Sequence, residues 1–529
     1  MGKAVGSARP AGAANILTCA AAAGAILLVS VRFDAVFSAP KLAWAALAAA
    51  AGCWAVLFGG LSGTLSGRRC VLDVPLLALF LTAALSAAFS IDRPVSVLGH
   101  HGFYAYGLLA GVVYLGLYFA ASRGLGPDGT PYFRAVALSS GLCALFGALQ
   151  WAGLPVTMAL EKALPEGRVY STLGSPVYLG ALLALALPLC AGLWAGAGRD
   201  RILGLFAGAF CAAGLLLTQS RSAWLGAAAG LAVWAWASGR WDGRRVRWPA
   251  AGLAAALLAL GLWSRASARV QLWKSAVAVA ARRPLVGAGV GAFENAFRRE
   301  RSEDFVRILG GKSSQASAHN DLLESAATTG LLGLAAYLWC LWGLLAAIRR
   351  ALADPETRAD AAAAAGALAA LFVAAKFNPT PFAALVTAAP LMGLLARSGA
   401  RASATPSTFG RLAVAIVASV ACWGSLRLAR ADHWFLKARV YRDVGRTDLA
   451  PIAFDAGLRL NPYETRYRMA TVGFLLDLAG RSARPEDRAS LLAAAGRVSE
   501  EGLALRPGHV DSWQSRGVAL ARLAQAGDA

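Results

Sequence analysis

The stretch SAHNDLLESAATTGLLG, residues 317–333, joins a polar segment to the start of an apolar helix. Its first half carries His319, one of five histidines in 529 residues. Its second half begins an apolar run long enough to enter a lipid bilayer. The histidine is therefore expected at a membrane surface, at the end of a polar segment of about 65 residues, the longest break between the apolar runs. This segment is where the sequence predicts chemistry.

The composition predicts a polytopic membrane protein. The chain is 57% hydrophobic and 15% charged, with a mean hydropathy of +0.54, which is too apolar for a soluble protein of this length. We expect an all-α fold with about 12–13 transmembrane helices, one long loop on the outer face and a small C-terminal helical domain. The predicted spans lie near 14–31, 41–61, 73–90, 104–121, 133–152, 176–196, 201–218, 222–238, 248–263, 330–348, 361–376, 382–397 and 410–428.

The net charge of +22 is distributed as membrane topology requires. The arginines fall in short breaks between apolar runs rather than on one soluble surface, so we expect no nucleic-acid partner. With the N-terminus in the cytoplasm, the arginine-rich breaks satisfy the positive-inside rule, and the loop at about 264–329 faces outward. The eight cysteines form no CxxC motif or Cys/His cluster, which argues against a zinc site.

The last hundred residues turn polar, and we expect two domains: 1–428 in the membrane and 429–529 outside it on the same face as the long loop. AGLRLNPYETRY (456–467) and EGLALRPGHVDSW (501–513) share a helix–proline–aromatic pattern typical of tetratricopeptide hairpins. They lie further apart than tetratricopeptide repeats do, so an ordinary helical cap is the alternative. In either case this region is expected to dock a protein partner or shape the substrate site.

Four cationic or protonatable residues are predicted at similar depth on the outer face: Arg168, Arg221, Arg269 and His319. Guanidinium groups bind phosphate bidentately and keep their charge, so two or three of them are suited to hold a pyrophosphate. An imidazole before a helix N-terminus stays neutral and is competent as a base. Since the outer loops show no DxD-type carboxylate pair for a divalent ion, we expect no metal.

Each of these residues also has a structural interpretation. His319 is compatible with an interfacial histidine that bonds a loop carbonyl. Arg221 is compatible with an arginine that snorkels to the lipid headgroups. The glycines of the turn Gly287, Gly289 and Gly291 either let backbone N–H groups approach an anion or simply form a tight turn.

Three segments together resemble the O-antigen ligase and polymerase superfamily: TQSRSAWLG (218–226), RVQLWKSAVAVAARRPLVGAGVGAF (269–293) and SAHNDLLESAATTGLLGLAAYL (317–338). The earlier RVYSTLGSPVYLG (168–180) is similar to a family segment that usually reads Asn-Pro-Asn after its glycine. Here Ser175, Pro176 and Val177 stand there instead, so the two asparagine side chains of the family pattern are absent at these positions.

The resemblance implies a glycosyltransferase on the outer face of the bacterial inner membrane, in contact with its lipids. It takes a glycan from polyprenyl (undecaprenyl) pyrophosphate, with inversion and without metal or cofactor. By resemblance the catalytic residues are His319, which activates the acceptor, and Arg221 and Arg269, which hold the pyrophosphate. The residues expected to bind the lipid-linked donor are Arg168, Arg221, Arg269, Gly289 and Asn320.

The acceptor and the protein class leave alternatives open. Transfer to a lipid A core sugar is the first expectation, and polysaccharide polymerisation or protein O-glycosylation is the second. An anionic lipid or glycan transporter is less favoured, because the spans hold few internal charges and show no paired repeat. A membrane scaffold for the C-terminal hairpins is a further alternative.

Overall fold

A computed structural model describes residues 9–62, 65, 68–126, 128–154, 167–240, 266–310, 314–398, 400–402, 408–507 and 510–527. These residues form an all-α fold, as the composition predicts, and two short strands, β1 (Arg68–Arg69) and β2 (Arg401–Ala402), pair antiparallel. The helices are α1 (Arg9–Leu27), α2 (Ala39–Leu61), α3 (Asp73–Ala88), α4 (Arg93–Leu98), α5 (Leu108–Gly124), α6 (Thr130–Trp151), α7 (Pro176–Trp194), α8 (Gly198–Leu217), α9 (Arg221–Ala237), α10 (Ala266–Arg282), α11 (Phe293–Glu300), α12 (Glu303–Leu309), α13 (Asp321–Ala353), α14 (Arg358–Ala375), α15 (Phe382–Ala396), α16 (Thr408–Asp443), α17 (Ala450–Leu460), α18 (Thr465–Arg481), α19 (Pro485–Leu505) and α20 (Val510–Gly527).

Seven of the described helices are long and apolar enough to cross a membrane: α2, α6, α7, α8, α13, α14 and α16. Shorter apolar stretches lie in α1, α3, α5 and α15. Together with α9, these helices coincide with twelve of the predicted spans. The span predicted near 248–263 lies outside the described residues. The chain is therefore a polytopic helical membrane protein.

Helices α9 and α14 pack closely against each other. A Cβ added at Gly230 would lie 2.6 Å from the carbonyl oxygen of Gly366, and one added at Gly366 would lie 2.6 Å from that of Gly230. One turn earlier on α9, Gly226 approaches the carbonyl oxygen of Ala370 in the same way. Small residues allow such backbone approach between helices in lipid. Since the two helices run in opposite directions, the start of α9 lies beside the end of α14.

The described residues of the long polar segment form a small helical unit that packs against α13. Helices α10–α12 share a core that includes Leu272, Phe293, Phe297 and Phe305. Helix α13 is kinked at Gly330, whose φ of +68° lies in the left-handed region. At this kink the N–H of Leu331 donates to the carbonyl of Pro284 at 2.7 Å. The segment and the membrane helix are therefore held together by backbone hydrogen bonds.

The C-terminal helices α17–α20 follow α16, which passes residue 428 without a break. Helix α17 ends at Leu460 and α18 begins at Thr465, as the Asn-Pro-Tyr-Glu sequence predicts. These helices dock on the segment that contains α4: buried Arg506 pairs with buried Asp92. The boundary at 428/429 and the tetratricopeptide assignment stay predictions.

Candidate functional site

The first side of the candidate site is formed by two segments that carry predicted arginines. Arg168 is half-buried, and its Nε donates to the carbonyl of Thr218 at 2.8 Å. One residue later, the N–H of Val169 donates to the carbonyl of Leu217 at 3.4 Å. Arg221 begins α9 three residues after Thr218, and its side chain is exposed. Two of the predicted arginines therefore belong to neighbouring segments.

The loop 376–380, which follows α14, connects these arginines to the histidine segment. Asn378 donates from Nδ2 to the hydroxyl of Ser222, the residue after Arg221. At the other end of the loop, Asn320 donates from Nδ2 to the carbonyl of Lys376 at 3.3 Å. The loop thus bridges the start of α9 and the start of α13.

His319 lies at this bridge, in front of α13. Asn320 caps that helix, because its Oδ1 accepts from the N–H groups of Leu322 and Leu323 at 3.0 and 3.1 Å. Burial, together with the charge of Arg269, lowers the pKa of His319 to about 4, although a hydrogen bond with the backbone of Phe377 opposes the shift. The imidazole is therefore neutral near pH 7, and the charge of the half-buried Arg269 contributes to this.

Backbone strain coincides with the candidate site. Among the described residues, Ser171, Gln219 and His319 are the non-glycine residues with a positive φ, at 49°, 50° and 53°. Each lies within three residues of a predicted site residue. A left-handed conformation costs a non-glycine residue free energy and persists where the surrounding contacts enforce it, often at functional sites. The three segments are thus held in fixed, locally unfavourable geometry.

The glycine turn packs against α13 and does not open towards solvent. Gly289 has a φ of +119°, and its N–H donates to the carbonyl of Thr328 at 2.9 Å. An added Cβ there would come within 1.9 Å of the Ser90 hydroxyl. These contacts fit the tight-turn interpretation, and donor binding by Gly289 stays a prediction.

The prediction from sequence omitted Lys376 and Asn378. Lys376 pairs with Asp321 in the first turn of α13, and the same carboxylate accepts from the Tyr337 hydroxyl. Lys376 also lies 3.6 Å from the centre of the Phe372 ring. The sequence contains a pattern from which both residues could have been predicted, because KFNPTP (376–381) is a polar break on the predicted outer face.

A separate group of potential metal ligands lies where the C-terminal helices meet the membrane helices. Asp34, His101 and Asp432 each offer an atom within 4.8 Å of the others. His101 Nε2 lies 2.7 Å from Asp432 Oδ1, and Asp34 pairs with Arg439. Because these side chains already pair with one another and with an arginine, the arrangement favours a structural ion-pair network over a metal site.

The middle of the chain matches a known protein family. Residues 206–338, about a quarter of the chain, match a protein-family model described as Wzy_C, O-antigen ligase. The matched part contains Arg221, Arg269 and His319, so the resemblance drawn from the sequence motifs is confirmed there. It indicates a membrane enzyme of glycosyltransferase type. No curated protein matches the chain.

Proposed function

We propose that this chain is a membrane glycosyltransferase of the O-antigen ligase type. It transfers a glycan from polyprenyl (undecaprenyl) pyrophosphate to an acceptor hydroxyl, such as one on a lipid A core sugar, at the periplasmic face of the inner membrane. The observation that carries the proposal is the series of contacts through loop 376–380, which joins the Arg168 and Arg221 segments to the His319 segment. Burial and the charge of Arg269 keep the imidazole of His319 neutral.

In the proposed reaction, the acceptor oxygen attacks the anomeric carbon from the face opposite the lipid pyrophosphate. The new carbon–oxygen bond forms as the bond to pyrophosphate breaks, and the pyrophosphate leaves with the electron pair. His319 takes the proton from the acceptor hydroxyl on its unprotonated ring nitrogen. Since the nucleophile attacks directly, the configuration at the anomeric carbon inverts.

The arginines have a different role from the histidine. Negative charge accumulates on the leaving pyrophosphate, and Arg221, Arg269 and Arg168 offset it. Arginine suits this role because its charge does not titrate near neutral pH. The proposal needs no metal, since guanidinium groups supply the compensating charge.

The proposed roles of His319 and Arg221 are tested by reconstituting purified protein with a polyprenyl-pyrophosphate glycan and candidate acceptors. His319→Ala is expected to lower the transfer rate by ~10²- to 10⁴-fold, and Arg221→Ala by ~10²- to 10³-fold. Product analysis against a lipid A core, a free repeat unit and a protein acceptor identifies the acceptor.

Matched controls separate chemistry from folding. His433→Ala removes a half-buried histidine whose Nδ1 hydrogen-bonds the backbone carbonyl of Arg32, and Arg307→Ala removes an exposed arginine on α12. Both are expected to transfer glycan at the wild-type rate. Near-normal transfer by well-folded His319→Ala protein would rule out its role as the base.

A further inference from the structure

A cavity of about 510 Å³ lies between the C-terminal helices and the segments around residues 95–101 and 294–298, and its described lining contains none of the predicted pyrophosphate-binding residues. We call it the interface cavity. Its volume is in the range of small-ligand sites. It is lined by Val95, His100, His101, Glu294, Arg298, Phe435, Arg439, Arg442, Glu464, Thr465, Arg466, Met469, Ala470 and Arg506.

The cavity lining contains five arginines and two carboxylates. Both carboxylates already have partners: Glu294 pairs with His100 at 2.9 Å, and Glu464 accepts from the N–H of Arg466 at 3.1 Å. Burial disfavours protonation of His100, but its hydrogen bond and charge interaction with Glu294 outweigh this and raise its pKa. By side-chain type the lining therefore carries more positive than negative charge.

Carboxylates behind the lining compensate part of this charge but leave hydrogen-bond donors facing the cavity. Arg442 forms an ion pair with Asp443, the next residue, with 2.7 Å between Nη2 and Oδ1. Within the described part of the chain, the Arg466 guanidinium has two long contacts, 3.6 Å to Asp34 and 3.4 Å to His101 Nδ1. Since a guanidinium carries five N–H donors, both arginines retain donors after these contacts with described residues. Their side chains are 35% and 57% exposed, so a ligand has access to them.

The cavity also offers apolar surface next to the donors. Val95, Phe435, Met469 and Ala470 contribute to its lining, and Phe435 is held in place by stacking on Tyr467 at a centroid distance of 4.3 Å. Apolar faces beside directional donors suit a sugar, whose ring presents C–H groups on one face and oxygens at its edge.

One segment connects the cavity to the candidate site. His100 and His101 line the cavity, while Tyr106, five residues later, accepts from the N–H of Thr380 at 2.8 Å. Thr380 ends the loop that bridges the predicted arginines and His319. Residues 100–106 therefore connect the interface cavity to the loop at the candidate site.

We propose that the interface cavity binds an acidic saccharide, with a carboxylate or phosphate group on the sugar held by Arg442 and Arg466. The inference rests on the proposed function for the identity of the ligand as a glycan. The C-terminal helices then contribute to glycan specificity, because their arginines favour a negatively charged glycan.

Binding is measured by calorimetry on the full chain in lipid nanodiscs, without any lipid-linked donor. The probes are a trigalacturonate, a neutral trisaccharide, a hexose 1-phosphate and the free hexose. At least one acidic probe is expected to bind at least ~10-fold more tightly than its neutral counterpart, because a hydrogen bond to a charged group contributes about 1.5–3 kcal/mol. Tight binding of the trigalacturonate would identify a carboxylate as the recognised group, and tight binding of the hexose 1-phosphate would identify a phosphate.

Arg442→Gln and Arg466→Gln are each expected to weaken binding of that acidic probe by ~10-fold or more. The matched control is Arg481→Gln on the same helix as Arg466, because Arg481 is exposed, pairs with Asp477 and does not line the cavity. Arg466→Lys, which keeps the charge, is expected to restore part of the affinity.

Equal affinity for neutral and acidic probes would overturn the proposal, as would the absence of binding by both acids. Tighter binding of a hexaglutamate peptide than of either acidic sugar would also overturn it, in favour of protein docking. The transfer assay is separate, so binding without transfer would reject the proposed function, and transfer without binding would reject the cavity proposal.

Discussion

Replacing Arg269 by glutamine is expected to raise the pKa of His319, which makes the histidine a direct probe of the candidate site. In the wild type, burial and the charge of Arg269 hold this pKa at about 4. The usual value is about 6.5. At pH 5 a histidine with a pKa of about 4 is about 90% neutral, whereas a histidine with a pKa of about 6.5 is about 3% neutral. The fraction of unprotonated imidazole therefore differs about 30-fold.

The sign follows from the neutral form being the active base. Lowering the pKa keeps His319 unprotonated at lower pH, so the wild-type kcat/KM is expected to stay constant from pH 8 to below pH 6 and to fall only as the pH approaches 4. In Arg269→Gln the fall of kcat/KM on the acid side is expected at higher pH than in the wild type. The midpoint of this fall stays below 6.5, because burial, the larger cause of the lowered pKa, remains.

The measurement is kcat/KM for glycan transfer between pH 4 and 8, since this parameter reports ionisations of the free enzyme. Titration of ¹³C-labelled histidines by NMR, with His319→Gln to assign the resonance, gives the pKa without turnover. Arg307→Gln serves as the control and is expected to leave the midpoint of this fall unchanged. A wild-type midpoint near 6.5, or no upward shift in Arg269→Gln, would refute the reasoning.

Three further outcomes are expected. Gly289→Ala should lower the thermal midpoint and the yield of folded protein, because its Cβ would meet the Ser90 hydroxyl at 1.9 Å and φ is +119°; an unchanged midpoint would contradict the packing argument. Asp432→Asn should increase protease cleavage within 450–505, because it weakens the buried pair with His101 and so the docking of these helices; unchanged cleavage would show that other contacts suffice. Glycan transfer should survive EDTA, and loss of activity restored by Mg²⁺ would reject charge compensation by arginine alone.

Local sequence patterns were sufficient to predict the apolar helices. The apolar runs give twelve of the described helices, because the thickness of a bilayer sets both their length and their hydropathy. Asn320 caps α13, as a short polar residue before an apolar run does. The motifs around Arg221, Arg269 and His319 indicated the family, and the match at 206–338 agrees.

Other features depend on contacts between residues far apart in the chain. Asn378 lies 156 residues from its partner Ser222, and Arg506 lies 414 residues from Asp92. No periodicity or spacing encodes such pairs, so the bridge by loop 376–380 and the interface cavity could not be predicted from the sequence.

The sequence by itself determined that the chain crosses a membrane repeatedly as helices, because lipid forces each backbone polar group to be satisfied within its own segment. It also supplied the types of side chain, cationic arginines and one histidine, that suit a pyrophosphate site. Only the tertiary structure decided which polar breaks meet, since the crossing of α9 on α14 depends on how closely glycines let two backbones approach. That crossing brings the Arg221 segment beside the loop that holds the His319 segment.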